Sequence, residues 1–305
     1  MVAYGPSMDS PHSKPQNRTR AFALYVSAYA LALCIGIIVG YALRDRHPIL
    51  VVLVADVAAT LVIYAFSRRF RNASFYDAYW SVAPLAIALY WMLATASENA
   101  VLARQIVVVT LVFLWGLRLT YNWARQWQGL KHEDWRYADF RKRSGNWFWL
   151  VDLVGIEMMP TVVVFMGCLS LYPALYAGEN CFGPLDGIAI AITAAAIVIE
   201  ATADEQLLRF VRKKQPAGQI MAKGLWAYSR HPNYFGEITF WWGLFVFGLA
   251  ADSGYWWTVV GPLAITALFL FVSIPMMEKR NMERRPGYEE RRKKVSALIP
   301  WIPKK

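Results

Sequence analysis

The chain is 305 residues long, 57% of them hydrophobic and 17% charged, with a formal net charge of +11. A soluble domain is nearer half apolar and a quarter charged, so this composition argues against a water-soluble enzyme. The excess of positive charge fits membrane topology better than nucleic acid, because Lys and Arg gather on the cytoplasmic side of membrane proteins.

Residues 1–20, rich in Ser, Pro and charge, read as a flexible cytosolic tail. Eight apolar stretches follow, each approaching the ~20 residues that cross a bilayer core. They are Ala21–Leu43, Ile49–Phe66, Ala78–Ala96, Leu102–Tyr121, Val151–Ala177, Leu185–Thr202, Tyr234–Ala250 and Trp257–Met277. The first run exceeds the roughly 7–15 residues of a signal-peptide core, and a polar segment precedes it, so it reads as a span. The expected fold is all-α: a polytopic transmembrane helical bundle of about seven to eight spans forming one domain, 21–303. With both termini placed in the cytosol, 28 of the 32 Lys and Arg residues fall on that side. The sequons at Asn17 and Asn72 then face the cytosol, and neither is expected to carry glycan. Cys34, Cys168 and Cys181 form no CxxC pair and no zinc spacing, which suggests neither a disulfide framework nor a metal site.

Two long polar loops, 122–149 and 204–232, and the tail after Met277 lie on the same predicted side. Jointly they could build a site there. Ionisable residues inside spans are costly and are functional candidates; here they are Asp56, Asp152, Glu157, Glu200, Asp204 and Glu237. Glu200 and Asp204, four apart, share a helix face, although Asp152 and Asp204 could simply be wetted at helix ends. The segment "RHPNYFGE" is the sharpest of these features. Pro232 suits a first helical turn, and Asn233, Glu237 and Trp241 fall at i, i+4 and i+8. The exposed N–H groups of that turn, with Arg230 and His231 beside them, favour an anion such as phosphate. The alternative is a stripe that only seals helix packing, since Asn and Glu also bond between membrane helices. His132-Glu133-Asp134 lacks HExxH spacing and reads as a solvated loop. There is no Gly-rich dinucleotide fingerprint and no P-loop. The residues themselves therefore imply a cytosol-facing anion pocket leading into an apolar cavity, suited to a lipid-like substrate and an anionic cofactor.

The stretch "GLWAYSRHPNYFGE" (224–237) resembles the signature of the bacterial and plant relatives of the steroid 5-alpha-reductase family, in its uncharacterised C-terminal-domain branch. The likeness extends to "ASFYDAYWSVAP" (73–84), "WGLRLTYNWAR" (115–125), "HEDWRY" (132–137), "EATADEQLLRF" (200–210) and "EKRNMERRPGYEERRKKVSALIP" (278–300), in order over about three quarters of the chain. This resemblance implies an NADPH-dependent reductase of an activated carbon–carbon double bond, with NADH not excluded and a hydrophobic small molecule as substrate. It implies that Asn233 and Glu237 hold the nicotinamide end, with Asp204 nearby. Tyr228, Arg230, His231 and Tyr234 are then pocket residues, and Arg136, Glu278 and Arg280 further cofactor contacts. Tyr121 becomes the candidate proton donor and Glu237 the catalytic carboxylate.

The family's Gln-Glu pair on an early helix has no counterpart here, Asp77 being a weak substitute, so steroid itself is in doubt as substrate. Two other functions stay open: a membrane methyltransferase using S-adenosylmethionine, whose relatives share a similar helix start and Glu-containing tail, and a non-catalytic lipid-binding protein. The partners expected are membrane lipids, in a bacterial inner membrane or a eukaryotic endomembrane, and no nucleic acid.

Overall fold

A computed structural model describes residues 18–94, 100–131, 133–213, 216 and 218–304. His132 and Asn17 lie outside the described residues. The described chain is helical, with a single isolated β-bridge, and contains seven helical segments long and apolar enough to cross a membrane. It divides into two compact units, Met1–Ala94 with Val112–Cys168 and Thr95–Leu111 with Leu169–Lys305.

The first unit is built from α1 (Arg18–Ala42), α2 (Pro48–Phe70), a 3₁₀ turn (Ala73–Tyr76), α3 (Tyr79–Leu93), the second half of α4 (Leu102–Ala124), α5 (Trp135–Ser144), the single turn α6 (Phe148–Leu150) and α7 (Met159–Cys168). Pro48 opens α2, where its missing N–H costs nothing, and the His47 side chain accepts from the Ile49 N–H. At the other end Arg71 takes the left-handed conformation, φ 52°, and Asn72 N–H returns to the Ser67 carbonyl. This αL ending satisfies carbonyls the helix leaves unpaired. Asn72 then caps the 3₁₀ turn by accepting from Ser74 N–H at 2.8 Å.

The third expected span, Ala78–Ala96, is observed as the 15-residue α3. At ~1.5 Å per residue such a helix is about 22 Å long, short of a ~30 Å hydrocarbon core. Residues 95–99, its expected end, lie outside the described ones. The fifth expected span, Val151–Ala177, is not one regular helix. It is wound as a π-helix over Val151–Met158, continues as α7, and carries a second π turn at Pro173–Ala177.

The second unit holds α8 (Pro184–Arg212), α9 (Pro232–Ala251), α10 (Val260–Leu268), α11 (Ile274–Arg284) and α12 (Tyr288–Lys294). A π turn, Phe269–Ser273, joins α10 to α11, so the last expected span is again interrupted. The α8–α9 pair forms its centre. A methyl group on Gly236 would stand 2.7 Å from Glu200 Cβ and 2.9 Å from the Ala196 carbonyl. Small residues at such contacts let membrane helices approach closely. At one end of this pair the buried Arg104 clamps Asp186, with Nε–Oδ1 at 2.7 Å and Nη2–Oδ2 at 2.9 Å. Arg104 also donates to the carbonyls of Asn180 and Cys181.

Candidate functional site

At the opposite end of the α8–α9 pair, the first turns of α9 bring together the residues singled out by sequence. α8 is longer than its expected span and carries Asp204 well inside the helix, where it is buried. Asn233 Nδ2 donates to Asp204 Oδ1 at 3.0 Å, and Asn233 Oδ1 accepts from Tyr234 N–H at 3.1 Å. The Asn233 amide is therefore fixed in orientation. One turn further, Trp241 Nε1 donates to Glu237 Oε1 at 2.7 Å. Glu200, also fully buried, lies on the same face of α8 as Asp204. A ladder of polar side chains thus enters an apolar helix pair, as the i, i+4, i+8 spacing implied.

Arg230 and His231 have a different set of partners from those expected. Arg230 Nε and Nη2 each meet Glu278 Oε1 at 2.6 Å. Its Nη1 donates to the carbonyls of Arg292, at 2.8 Å, and Val295. A guanidinium so engaged is a clamp on the C-terminal segment rather than an open phosphate ligand. Glu278 also meets His231 Nε2 at 3.6 Å and Arg292 Nε at 3.4 Å. His231 stacks on Tyr234, ring centroids 5.1 Å apart, and the Phe269 ring meets Tyr234 at a tilt of 54°. Burial lowers the His231 pKa below its usual value, with Glu278 opposing.

Backbone pairing completes the clamp. Arg230 N–H donates to Ser296, Trp301 N–H to Tyr228, and Ser229 Oγ to the Leu298 carbonyl. Tyr228 is half exposed and Arg280 partly buried. Arg292, Lys293 and Lys294, in the last turn of α12, are exposed cations.

The remaining expected residues belong to the first unit. The Tyr121 ring is 66% exposed with Arg125 over it at 5.5 Å, the geometry of a boundary aromatic. Arg136 is held by Asp134, Nε–Oδ1 2.8 Å, which also caps α5. Burial opposes the Asp134 charge, yet Arg136 holds this carboxyl below its usual range. The same segment is laced to the 3₁₀ turn: Asp134 N–H donates to Ser74 Oγ, Ala73 N–H to Glu133, and Tyr137 OH to Asp77. The described part of two of the sequence stretches quoted above, 73–84 and 133–137, is therefore one interlocked structure.

A second polar group in the first unit was only half legible. Tyr79 OH donates to Asp56 Oδ1 at 3.2 Å, and Thr161 Oγ1 lies 3.0 Å from Thr60 Oγ1 and 2.8 Å from Tyr76 OH. The signal was the spacing of Asp56, Thr60 and Ser67 along one stripe of α2, and of Glu157 with Thr161.

Fold and site together define a polytopic helical membrane protein with a buried polar site at the mouth of an apolar helix pair. The chain belongs to the family described as protein of unknown function DUF1295, which matches residues 63–295. It is similar to an uncharacterized protein of Schizosaccharomyces pombe, 27% identical over 281 residues, covering 85% of this chain and 81% of that one. No solved structure matches it significantly.

Proposed function

We propose that the protein is a membrane-embedded NAD(P)H-dependent reductase of an activated carbon–carbon double bond in a lipid-like substrate. The observation that carries this reading is the pair of buried contacts Asp204–Asn233 and Glu237–Trp241 on one face of α9. A nicotinamide carboxamide needs an acceptor for its amide N–H and a donor for its oxygen. Glu237 and Asn233 are that acceptor and that donor, so the residues present fit the group.

The cofactor, when bound, supplies the hydride. The chain's own contribution is to orient and to exclude water. Asp204 and the Tyr234 N–H fix the Asn233 amide, and Trp241 fixes Glu237. The rings of His231, Tyr234 and Phe269, in contact beside Asn233, add aromatic surface next to the site. Arg292, Lys293 and Lys294 place positive charge where phosphates would be attracted, and Tyr228 and Arg280 remain candidate contacts. The resemblance to steroid 5-alpha-reductase relatives supports the same assignment.

The test is cofactor binding by the purified protein in detergent, with NADPH, NADH and S-adenosylmethionine compared, for the parent and Glu237→Gln. Binding of NADPH weakened about tenfold or more by the substitution, a loss of ~1.4 kcal/mol, is the expected result. Binding of S-adenosylmethionine alone would make the protein a methyltransferase. Binding of none by a folded sample would favour a lipid-binding protein without turnover.

A further inference from the structure

The C-terminal ends of α2 and α5 meet in the first unit, and both are cationic. Arg68 and Arg69 lie in the last turn of α2, and Arg71 follows in the left-handed conformation. Arg141, Lys142 and Arg143 lie in the last turn of α5. Cations suit both places, because each is the negative end of a helix dipole. Arg141 is the pin between them. Its Nη2 donates to the Arg71 carbonyl at 3.4 Å and to Glu133 at 2.7 Å, and its guanidinium lies 3.9 Å from the centre of the Phe148 ring. The cations around it are exposed. Among the described residues Arg68, Arg69, Arg71 and Lys142 form no ion pair with a carboxylate, and Arg143 meets Asp139 in an exposed i,i+4 pair. Such surface pairs are weak and leave the cation open to another anion.

Aromatic and then apolar surface adjoins these charges. Trp147 and Trp149 are exposed on either side of the buried Phe148. Further along the same segment the exposed side chains are Leu150, Val154, Met159 and Val162. On α2 the exposed side chains before Arg68 are Leu50, Val54, Leu61 and Ala65. Tyr64 OH donates to the Trp149 carbonyl at 3.1 Å, so the aromatic level of one segment is that of the other. Both segments thus pass from apolar through aromatic to cationic in the same direction. A bilayer leaflet presents its layers in that order, from acyl chains through the aromatic belt to headgroups. Clusters of Lys and Arg directly at the end of a span attract anionic lipid.

We propose that these two helix ends form a binding site for an anionic phospholipid. Its headgroup phosphate lies among Arg68, Arg69, Arg71 and Lys142, where guanidinium groups supply charge-assisted hydrogen bonds. Its glycerol region lies beside Trp147 and Trp149, and its acyl chains run along Leu150 and Val154. The apolar band continuous with the cations assigns the anion to a lipid, since a soluble phosphate gains nothing from it. Arg141, already engaged by the Arg71 carbonyl, Glu133 and Phe148, is a positioning residue. Every residue named belongs to the first unit, and the site is independent of the reductase reading.

The test is native mass spectrometry of the purified protein in detergent, titrated with phosphatidylglycerol or phosphatidylcholine of the same acyl chains. The parent should bind phosphatidylglycerol at least tenfold more tightly. A cation close to an anionic lipid surface is worth about fivefold in binding, so Arg68→Gln/Arg71→Gln should weaken phosphatidylglycerol binding at least tenfold. Arg44→Gln/Arg46→Gln removes the same charge from exposed residues before the other end of α2 and should leave binding within twofold of the parent. Equal losses in the two double variants would show a response to net charge alone and overturn the proposal. So would equal affinity of the parent for the two lipids. Release of bound phosphatidylglycerol by inorganic phosphate, beyond that caused by sodium chloride of the same ionic strength, would mark a site for soluble anions and overturn it as well. The melting temperature reports whether each variant is folded. Lys142→Gln/Arg143→Gln, on α5, carries the same expectation should the α2 variant fail to fold. The readout involves neither cofactor nor turnover, so its failure and that of the reductase reading are separable.

Discussion

Arg230 and Glu278, 48 residues apart in sequence, form a buried ion pair at 2.6 Å that ties the start of α9 to α11. Arg230 also holds the carbonyls of Arg292, in the last turn of α12, and of Val295, just beyond it. One guanidinium thus anchors the chain on both sides of the C-terminal helix, immediately beside the Asn233–Asp204 contact.

Removing one member of a buried pair leaves the other charge uncompensated, at a cost of about 3–5 kcal/mol. Glu278→Gln is therefore expected to lower the melting temperature of the detergent-solubilised protein and to expose the tail after Tyr288 to trypsin. Arg230→Lys should have a similar effect, because an ammonium cannot reproduce the forked geometry. A tail as resistant to trypsin in Glu278→Gln as in the parent would show the clamp to be held elsewhere.

Trp241→Phe keeps an aromatic ring, though a smaller one, and removes the indole N–H that donates to Glu237. The loss of a hydrogen bond to a buried acceptor is worth about 1–3 kcal/mol. The expected outcome is a modest fall in melting temperature and, on the proposed reductase reading, a larger loss of NADPH affinity, measured by titration. Equal affinity in both proteins would mean that Glu237 is positioned without Trp241.

The α8–α9 contact gives a paired test. Gly236→Ala places a methyl group 2.7 Å from Glu200 Cβ, and overpacking of this kind costs about 1–3 kcal/mol. Gly187→Ala, on α8 with nothing within 4 Å of its added carbon, should be neutral or stabilise by a few tenths to ~1 kcal/mol through helix propensity. Thermal unfolding of the two variants side by side reads the difference.

Asp77 makes stability depend on pH. Burial, then the nearby Asp134 charge, raises its carboxyl from 3.8 to about 6, with Arg136 opposing. The folded state binds this proton more tightly than the unfolded one. The contribution is therefore complete below about pH 4 and is lost as pH rises through about 6. Asp77→Asn, still able to accept from Tyr137, should show a smaller fall in melting temperature over that window. Asp134, held low by Arg136, acts in the other direction and only as pH falls below its ordinary range.

The Arg104–Asp186 pair predicts a loss of fold rather than of chemistry. Both side chains are 1% exposed, and Arg104 also donates to the carbonyls of Asn180 and Cys181. Arg104→Ala should cost about 3–5 kcal/mol and reduce the yield of monodisperse protein, read by size-exclusion chromatography. Near-parental yield and melting temperature would contradict this.

The apolar runs were legible because crossing a membrane is a local property: a helix of sufficient length must be apolar along its own sequence. The stripe Asn233–Glu237–Trp241 was legible for a similar reason, since a 3.6-residue period places those side chains on one face whatever surrounds them. The tertiary structure decided what each of those groups meets. That Glu278 claims Arg230, that Asp134 holds Arg136, and that Tyr79 reaches Asp56 depend on how separate segments pack, which no spacing encodes. The shortness of α3 and the π winding around Asp152 and Glu157 belong to the same class. Backbone geometry there departs from the regular helix that hydropathy assumes, and the departure turns two carboxyls onto one buried face.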